Sequence, residues 1–81
     1  MTQYLILCRS LTAAQSGMHL LERSGISCSV TKAPQGLSPA GCSYGISLYR
    51  RPEQAMNLLR QHGVKIGKMF RREPGEEYQE V

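Results

Sequence analysis

The pattern of apolar and polar positions divides the chain into short elements that alternate between two periodicities. Residues 3–8, QYLILC, are apolar on both alternating faces except at Gln3, which is typical of a central β-strand. Residues 26–31 alternate between apolar and polar side chains, which predicts a half-buried strand at a sheet edge. Residues 44–49 and 64–70 are predicted to be the third and fourth strands.

Two helices fit between these strands. Ser10 or Thr12 can cap the first helix, which Gly25 ends, and Pro52 suits the first turn of a second helix, which Gly63 ends. Apolar residues at helical spacing predict the buried side of each helix. They are Ala14, Met18 and Leu21 in the first helix, and Ala55, Leu58, Leu59 and His62 in the second.

A short internal sequence repeat supports this order of elements. The segment from Leu20-Leu21 to Gly25-Ile26 recurs as Leu58-Leu59 to Gly63-Val64, so the chain consists of two similar halves. Two such halves predict an α+β fold, a ferredoxin-like βαββαβ sandwich. Its antiparallel sheet would have the strand order 4-1-3-2, with both helices on one face.

Length and charge set the domain organisation. We expect residues 1–72 to form a single βαββαβ domain and residues 73–81 to be a disordered acidic tail. The first segment carries all ten Lys and Arg residues and two of the six acids. A basic body suits an anionic partner such as a nucleic acid, or it is an ordinary solvated surface.

The cysteines and the N-terminus indicate the compartment. Three cysteines without a CxxC pair do not form a secreted disulfide framework, and the chain starts without a basic segment and a long apolar run. We therefore expect a cytoplasmic protein with reduced thiols and no membrane association. The sequence has no recognised metal-ligand spacing or phosphate-binding loop, so we expect no metal and no cofactor.

The strongest candidate for chemistry is Cys42, in the Gly- and Pro-rich loop between the second and third strands. In the predicted topology this loop, the end of strand one and the start of helix one, at Ser10, lie at the same end of the sheet. The helix N–H groups and Arg9 would then favour a Cys42 thiolate. Flanking Gly41, with Ser43 and Gly45 following, would keep the sulfur uncrowded. The alternative is a loop cysteine without a role.

The other two cysteines have different predicted environments. Cys28 shares a face with Ile26 and Val30, which predicts a core residue. Cys8 closes the first strand, so it is either a core residue or close enough to Cys42 to resolve an oxidised sulfur.

Three segments together resemble a known family. They are RSLTAAQ at residues 9–15, LLERSGI at residues 20–26, and APQGLSPAGCSY at residues 33–44. The chain resembles the small bacterial family of selenium/sulfur (Se/S) carrier protein-like domains over about residues 3–70. The most specific part is the Pro-x-x-Leu-Ser stretch that leads into Gly41-Cys42.

The resemblance implies a carrier rather than an enzyme. It implies that Cys42 holds sulfur or selenium as a persulfide or selenopersulfide and delivers it to partner enzymes of sulfur or selenium transfer. Some members of the family have a second cysteine three positions after the first, where this chain has Gly45. This departure favours a carrier with one thiol over a dithiol oxidoreductase.

A second hypothesis is a non-enzymatic binding or regulatory module with an RNA or protein partner. The basic body favours RNA, but the single Phe and the lack of an RNP-like aromatic motif on strand three disfavour it. Pairing through an open sheet edge, including homodimerisation, is a third alternative.

Overall fold

The computed structural model describes residues 1–34, 36–37 and 43–81. The first half contains β1 (Gln3–Cys8), α1 (Leu11–Arg23) and β2 (Cys28–Lys32). The second half contains β3 (Tyr44–Leu48), α2 (Pro52–Gln61), β4 (Ile66–Arg72) and β5 (Gln79–Glu80).

The strands form one antiparallel sheet in the order β2-β3-β1-β4-β5. The prediction of an α+β chain with two helices is confirmed. Within the sheet β4, β1, β3 and β2 are consecutive neighbours, and β5 adds to the outer side of β4. The sheet therefore has one strand more than the sequence predicted.

β1 is a central strand, as its unbroken apolar run predicted. Leu5, Ile6, Leu7 and Cys8 are all fully buried, so both faces of the strand are covered. Consecutive side chains of a strand point to opposite faces of the sheet. Ile6 and Cys8 pack on the face that carries both helices, and Leu5 and Leu7 pack on the other.

The helix-covered face, as we call the first of these, holds the main core. Its buried residues come from β1, β3 and both helices, so the prediction of two helices on one face is confirmed. They are Ile6, Cys8, Ala14, Leu21, Ile26, Ile46, Leu48, Ala55, Met56 and Leu59. At the centre Gly17 lets the elements approach closely, because a Cβ there would lie 2.8 Å from Cδ1 of Ile46.

Both helices end in the same way, and this shared ending explains the internal sequence repeat. After α1 the N–H of Ile26 donates to the carbonyl of Leu21 at 2.9 Å, and Gly25 has a φ of 85°. After α2 the N–H of Val64 donates to the carbonyl of Leu59 at 3.0 Å. These are Schellman motifs, in which a residue after the glycine closes the helix. Ile26 and Val64 therefore cap helices, and β2 and β4 each begin two residues later than predicted.

The second face, opposite the helices, has a smaller apolar cluster and a polar network. Leu5, Leu7 and Phe70 form the cluster, and Ala33, Leu37 and Tyr78 pack against it. Beside it, Nε2 of Gln3 donates to Oγ of Ser47 at 2.8 Å, and Nη2 of Arg72 donates to Oε1 of Gln3 at 2.6 Å.

The disorder expected of residues 73–81 stays a prediction, and the structure gives these residues a short strand and tertiary contacts. Gln79–Glu80 forms β5, the N–H of Val81 donates to the carbonyl of Met69, and Glu73 accepts a hydrogen bond from Thr2. We call residues 73–81 the C-terminal strap. The centre of its Tyr78 ring lies 4.6 Å from the Arg72 guanidinium. The strap therefore makes a tertiary contact although its sequence shows no periodicity. The domain boundary at residue 72 stays a prediction.

One predicted core residue was wrong. His62 was placed on the buried stripe of the second helix, but it is the C-cap of α2 and is exposed. Met56 is buried instead, beside Ala55 and Leu59. The helix ends one residue before His62, so its side chain no longer follows the helical stripe.

Candidate functional site

One end of the sheet brings together several residues that the sequence singled out. Cys8 at the end of β1 pairs with Tyr44 at the start of β3 and with Ile66 at the start of β4. Tyr44 also pairs with Lys32 at the end of β2. The four strands therefore reach this end side by side, and the loop from β2 to β3 joins two of them.

The start of α1 lies at this end because it follows β1 directly. Ser10 is the N-cap, with extended backbone angles, and its Oγ accepts a hydrogen bond from the N–H of Ala13 at 3.1 Å. This resolves the alternative between Ser10 and Thr12. Arg9 precedes the cap and is exposed.

A groove of about 380 Å³ separates the start of α1 from the end of α2. Its walls carry hydroxyl groups from α1, an imidazole from the end of α2 and two cationic side chains. The lining residues are Arg9, Ser10, Thr12, Ala13, Ser16, His62, Gly63, Val64 and Lys65.

Cys8, for which the sequence left open a core position or a resolving role, is a core residue on the helix-covered face. Its side chain is fully buried, and Sγ donates to the carbonyl of Ile6 at 3.7 Å. A role in resolving an oxidised sulfur on Cys42 stays a prediction.

Cys28 packs against the helix-covered core, as its alternation predicted, and is partly exposed. Its Sγ donates to the carbonyl of Met18 at 3.7 Å. Burial raises the pKa of this thiol, and the nearby Glu22 carboxylate raises it further. Both effects disfavour the thiolate, so the Cys28 environment opposes nucleophilic chemistry.

Gly45 is buried in β3, between Leu7 of β1 and Thr31 of β2. A Cβ at this position would lie 2.8 Å from Cδ1 of Leu5 and 3.0 Å from the carbonyl oxygen of Ile6. Leu5 fills the space that a larger side chain would need. The packing around Gly45 therefore has no space for the second cysteine that some members of the family have at this position.

Cys42 and Gly41 lie outside the described residues, and so does the predicted approach of Arg9 to the Cys42 sulfur. Ser43, the next residue, is exposed, and its carbonyl accepts a hydrogen bond from the N–H of Ala33 at 2.9 Å.

The sequence reasoning missed Lys32 and Lys65, which lie at the same end as Arg9. Both lysines could have been identified from the sequence. In the predicted topology the end of strand two and the start of strand four lie at the same end of the sheet as the end of strand one, and a cation stands at each of these termini.

The described residues contain neither a cluster of metal ligands nor a helix that could span a membrane. No three His, Cys, Asp or Glu side chains lie together there as a metal site would require. Neither α1 nor α2, the helices in that part of the chain, is long and apolar enough to cross a membrane.

Comparison with known proteins gives a family. The model of the family described as "Putative Se/S carrier protein-like" matches residues 3–71, from the start of β1 almost to the end of β4. No curated protein and no solved structure matches the chain. The family match leaves out the C-terminal strap and includes the loop that contains Cys42. Because the match covers nearly the whole chain, the resemblance seen in the sequence is confirmed, and the protein belongs to the Se/S carrier protein-like family.

Proposed function

We propose that this protein carries sulfur or selenium on the thiol of Cys42. The observation that carries the proposal is the family membership, which covers the chain from residue 3 to residue 71. The chemistry is transfer between thiols rather than catalysis on a small substrate. We propose a cytoplasmic location, where thiols stay reduced, and a ferredoxin-like classification of the fold.

The transfer needs no net oxidation. The Cys42 thiolate attacks the terminal sulfur of a donor persulfide, a new S–S bond forms at Cys42, and the donor cysteine leaves as a thiolate. Delivery reverses these roles, because a nucleophile of the acceptor takes the terminal sulfur and Cys42 returns to its thiolate. A selenopersulfide follows the same sequence of bonds, with selenium as the terminal atom.

The environments of the other cysteines support Cys42 as the carrier. Cys8 is fully buried, and the pKa of Cys28 is raised by its burial and by Glu22. A carrier thiol must meet the cysteine of a second protein, which requires an accessible sulfur and a substantial thiolate fraction. Neither Cys8 nor Cys28 combines these two properties.

Intact-mass spectrometry tests the proposal. The protein is incubated with a cysteine desulfurase and cysteine, and we expect the wild type to gain the mass of one sulfur atom that a thiol reductant removes. Cys42→Ser should gain none. Cys28→Ser is the matched control, because it removes a half-buried thiol and should load like the wild type.

An alkylation experiment separates the thiols independently of any donor. Because the pKa of Cys28 is raised, its thiolate fraction at neutral pH is low, and we expect iodoacetamide to modify Cys42 first. Alkylation of Cys28 should accelerate as the pH rises towards its raised pKa. Loading that persists in Cys42→Ser, or no loading of the wild type, would refute the carrier role.

A further inference from the structure

The acidic residues of this protein lie mostly at one end of the sheet, where arginines such as Arg23 and Arg50 accompany them, while the other end carries cations without acids. Five of the six acidic residues lie in segments at the end opposite the loop from β2 to β3. These are Glu22, Glu53, Glu73, Glu76 and Glu77. The sixth, Glu80, lies 3.3 Å from Nζ of Lys68.

The end that the loop from β2 to β3 occupies is basic. Arg9 follows β1, Lys32 ends β2 and Lys65 precedes β4, and all three are exposed. We call these three residues the basic end. No described Asp or Glu lies within salt-bridge distance of their charged groups, so their charge is uncompensated. The strand pairs across this end place Lys32 and Lys65 roughly 14 Å apart, three strand spacings.

Covalent geometry ties the basic end to the carrier thiol. Cys42 precedes Tyr44 by two residues, and Tyr44 pairs with both Lys32 and Cys8. Two peptide units span at most about 7 Å. A protein that exchanges sulfur with Cys42 must therefore bring its own cysteine close to the basic end.

The same end suits a protein better than RNA. Its exposed apolar side chain is Leu11, which is 41% accessible at the first turn of α1, beside Arg9. RNA recognition relies on exposed aromatic rings. Tyr49 is exposed but lies at the opposite end of β3, and Tyr44, at the basic end, packs against the helix-covered core. On the second face of the sheet, Phe70 is buried against the loop and the strap. An aliphatic side chain with charged residues around it matches the apolar centre and polar rim of a protein interface, where complementary charge steers the partner.

We propose that the basic end is the docking surface for an acidic face of the protein that exchanges sulfur or selenium with Cys42. This inference rests on the proposed carrier function and adds the chemistry of the partner. Complementary charge accelerates association, and the acceleration falls as salt screens it over about 10 Å at 0.1 M ionic strength.

The test measures the rate of sulfur transfer from a persulfidated cysteine desulfurase to the full chain at low and high salt. Lys32→Glu/Lys65→Glu reverses two charges of the basic end and leaves Arg9 and Cys42 in place. Arg23→Glu/Arg50→Glu, at the opposite end, is the matched control with the same change of net charge. We expect the first variant to transfer about ten-fold more slowly at low salt and the control to match the wild type.

Two further measurements keep the result interpretable. The rate of Cys42 alkylation by neutral iodoacetamide is measured in all three proteins, and each transfer rate is divided by it, so that the loss which remains reflects docking and not thiol ionisation. Lys32→Gln/Lys65→Gln should give a smaller loss, and it replaces the reversal variant if thermal denaturation shows that the latter is unfolded.

The outcomes separate the two proposals. Equal transfer rates for wild type and the basic-end variants would overturn the docking inference and leave the carrier function intact. If the wild type accepts no sulfur, the carrier function fails. The docking inference is then tested by titration with a Glu-rich peptide, in which NMR shifts of the backbone amides should map to the basic end. A single-stranded RNA oligonucleotide that binds there more tightly than the peptide would overturn the choice of a protein partner.

Discussion

The two faces of the sheet are built differently from the same central strand. On the helix-covered face, Ile6 and Cys8 belong to a continuous apolar core that includes both helices. On the second face, Leu5 and Leu7 contact Phe70, and a loop and the C-terminal strap supply the covering side chains. Regular elements cover one face and irregular segments cover the other.

This difference shows that two side chains can be equally buried and still be covered by different kinds of element. Leu7 and Leu59 are both fully buried, although Leu59 packs among helices and strands and Leu7 lies under a loop and the strap. Packed helices relax little around a new cavity, while loops and short strands can collapse into it. We therefore expect equal truncations on the two faces to have unequal effects.

The largest effect tests this asymmetry directly. Leu59→Ala should lower the free energy of unfolding by about 3–5 kcal/mol, and Leu7→Ala by about 2–3 kcal/mol, because the loop and the strap can close around the smaller side chain. Urea denaturation of both variants measures the difference. A Leu7→Ala loss as large as that of Leu59→Ala would contradict the comparison.

Added volume should have the opposite ranking: a larger side chain should destabilise the second face more than the helix-covered face. A methyl group at Gly45 meets Cδ1 of Leu5 at 2.8 Å and the backbone oxygen of Ile6 at 3.0 Å, so Gly45→Ala should cost about 1–3 kcal/mol. At Gly17 the contacts are flexible ends of Ile46 and Leu59, and alanine favours the helix by about 1 kcal/mol. Thermal denaturation should show the smaller loss for Gly17→Ala, and a stabilised Gly45→Ala would show that the second face has spare room.

The contribution of the strap is expected to be smaller still. Tyr78→Ala removes a ring that packs on the second face and on Arg72, so we expect a loss of about 1–2 kcal/mol. Tyr78→Phe is the control, because it keeps the ring and loses only the hydroxyl. If Tyr78→Ala unfolds at the same urea concentration as the wild type, the strap does not stabilise that face.

The smallest effect concerns the ion pair between Lys68 and Glu80. Both side chains are largely exposed, at 60% and 55%, so Glu80→Gln should change the free energy of unfolding by less than about 0.5 kcal/mol. A larger loss that disappears at high salt would mean that charge, rather than the Tyr78 ring, holds the strap.

Local patterns predicted much of the fold. The apolar run of β1 predicted a strand covered on both faces, and Pro52 marked the start of α2 correctly. Of the two cap candidates for α1, Ser10 and Thr12, the structure uses Ser10. The late starts of β2 and β4 were missed because Ile26 and Val64 look like strand residues. Their N–H groups instead bond to helix carbonyls, and periodicity alone does not distinguish the two uses.

Tertiary contacts explain the remaining differences. β5 has two residues and depends on pairing with Phe70 and Arg71, so no local signal announces it. The predicted topology brought Arg9, Ser10 and the start of β3 to one end, while Lys32 at the end of β2 and Lys65 before β4 escaped notice. The role of Cys42 at this end stays a prediction. The burial of Cys8 followed from its strand, but its position at the end of that strand, beside the helix turn, also suggested a cysteine close enough to Cys42 to resolve an oxidised sulfur.

The short β5 has a consequence for assembly. It occupies the outer side of β4, so β2 is the longer of the two bare edges that the described part of the chain presents. Two copies that paired β2 against β2 would cover the β2 edge of each chain and leave only the two-residue β5 strands outside, which offer a poor template for further pairing. Edge-to-edge addition of this kind would therefore stop at two chains.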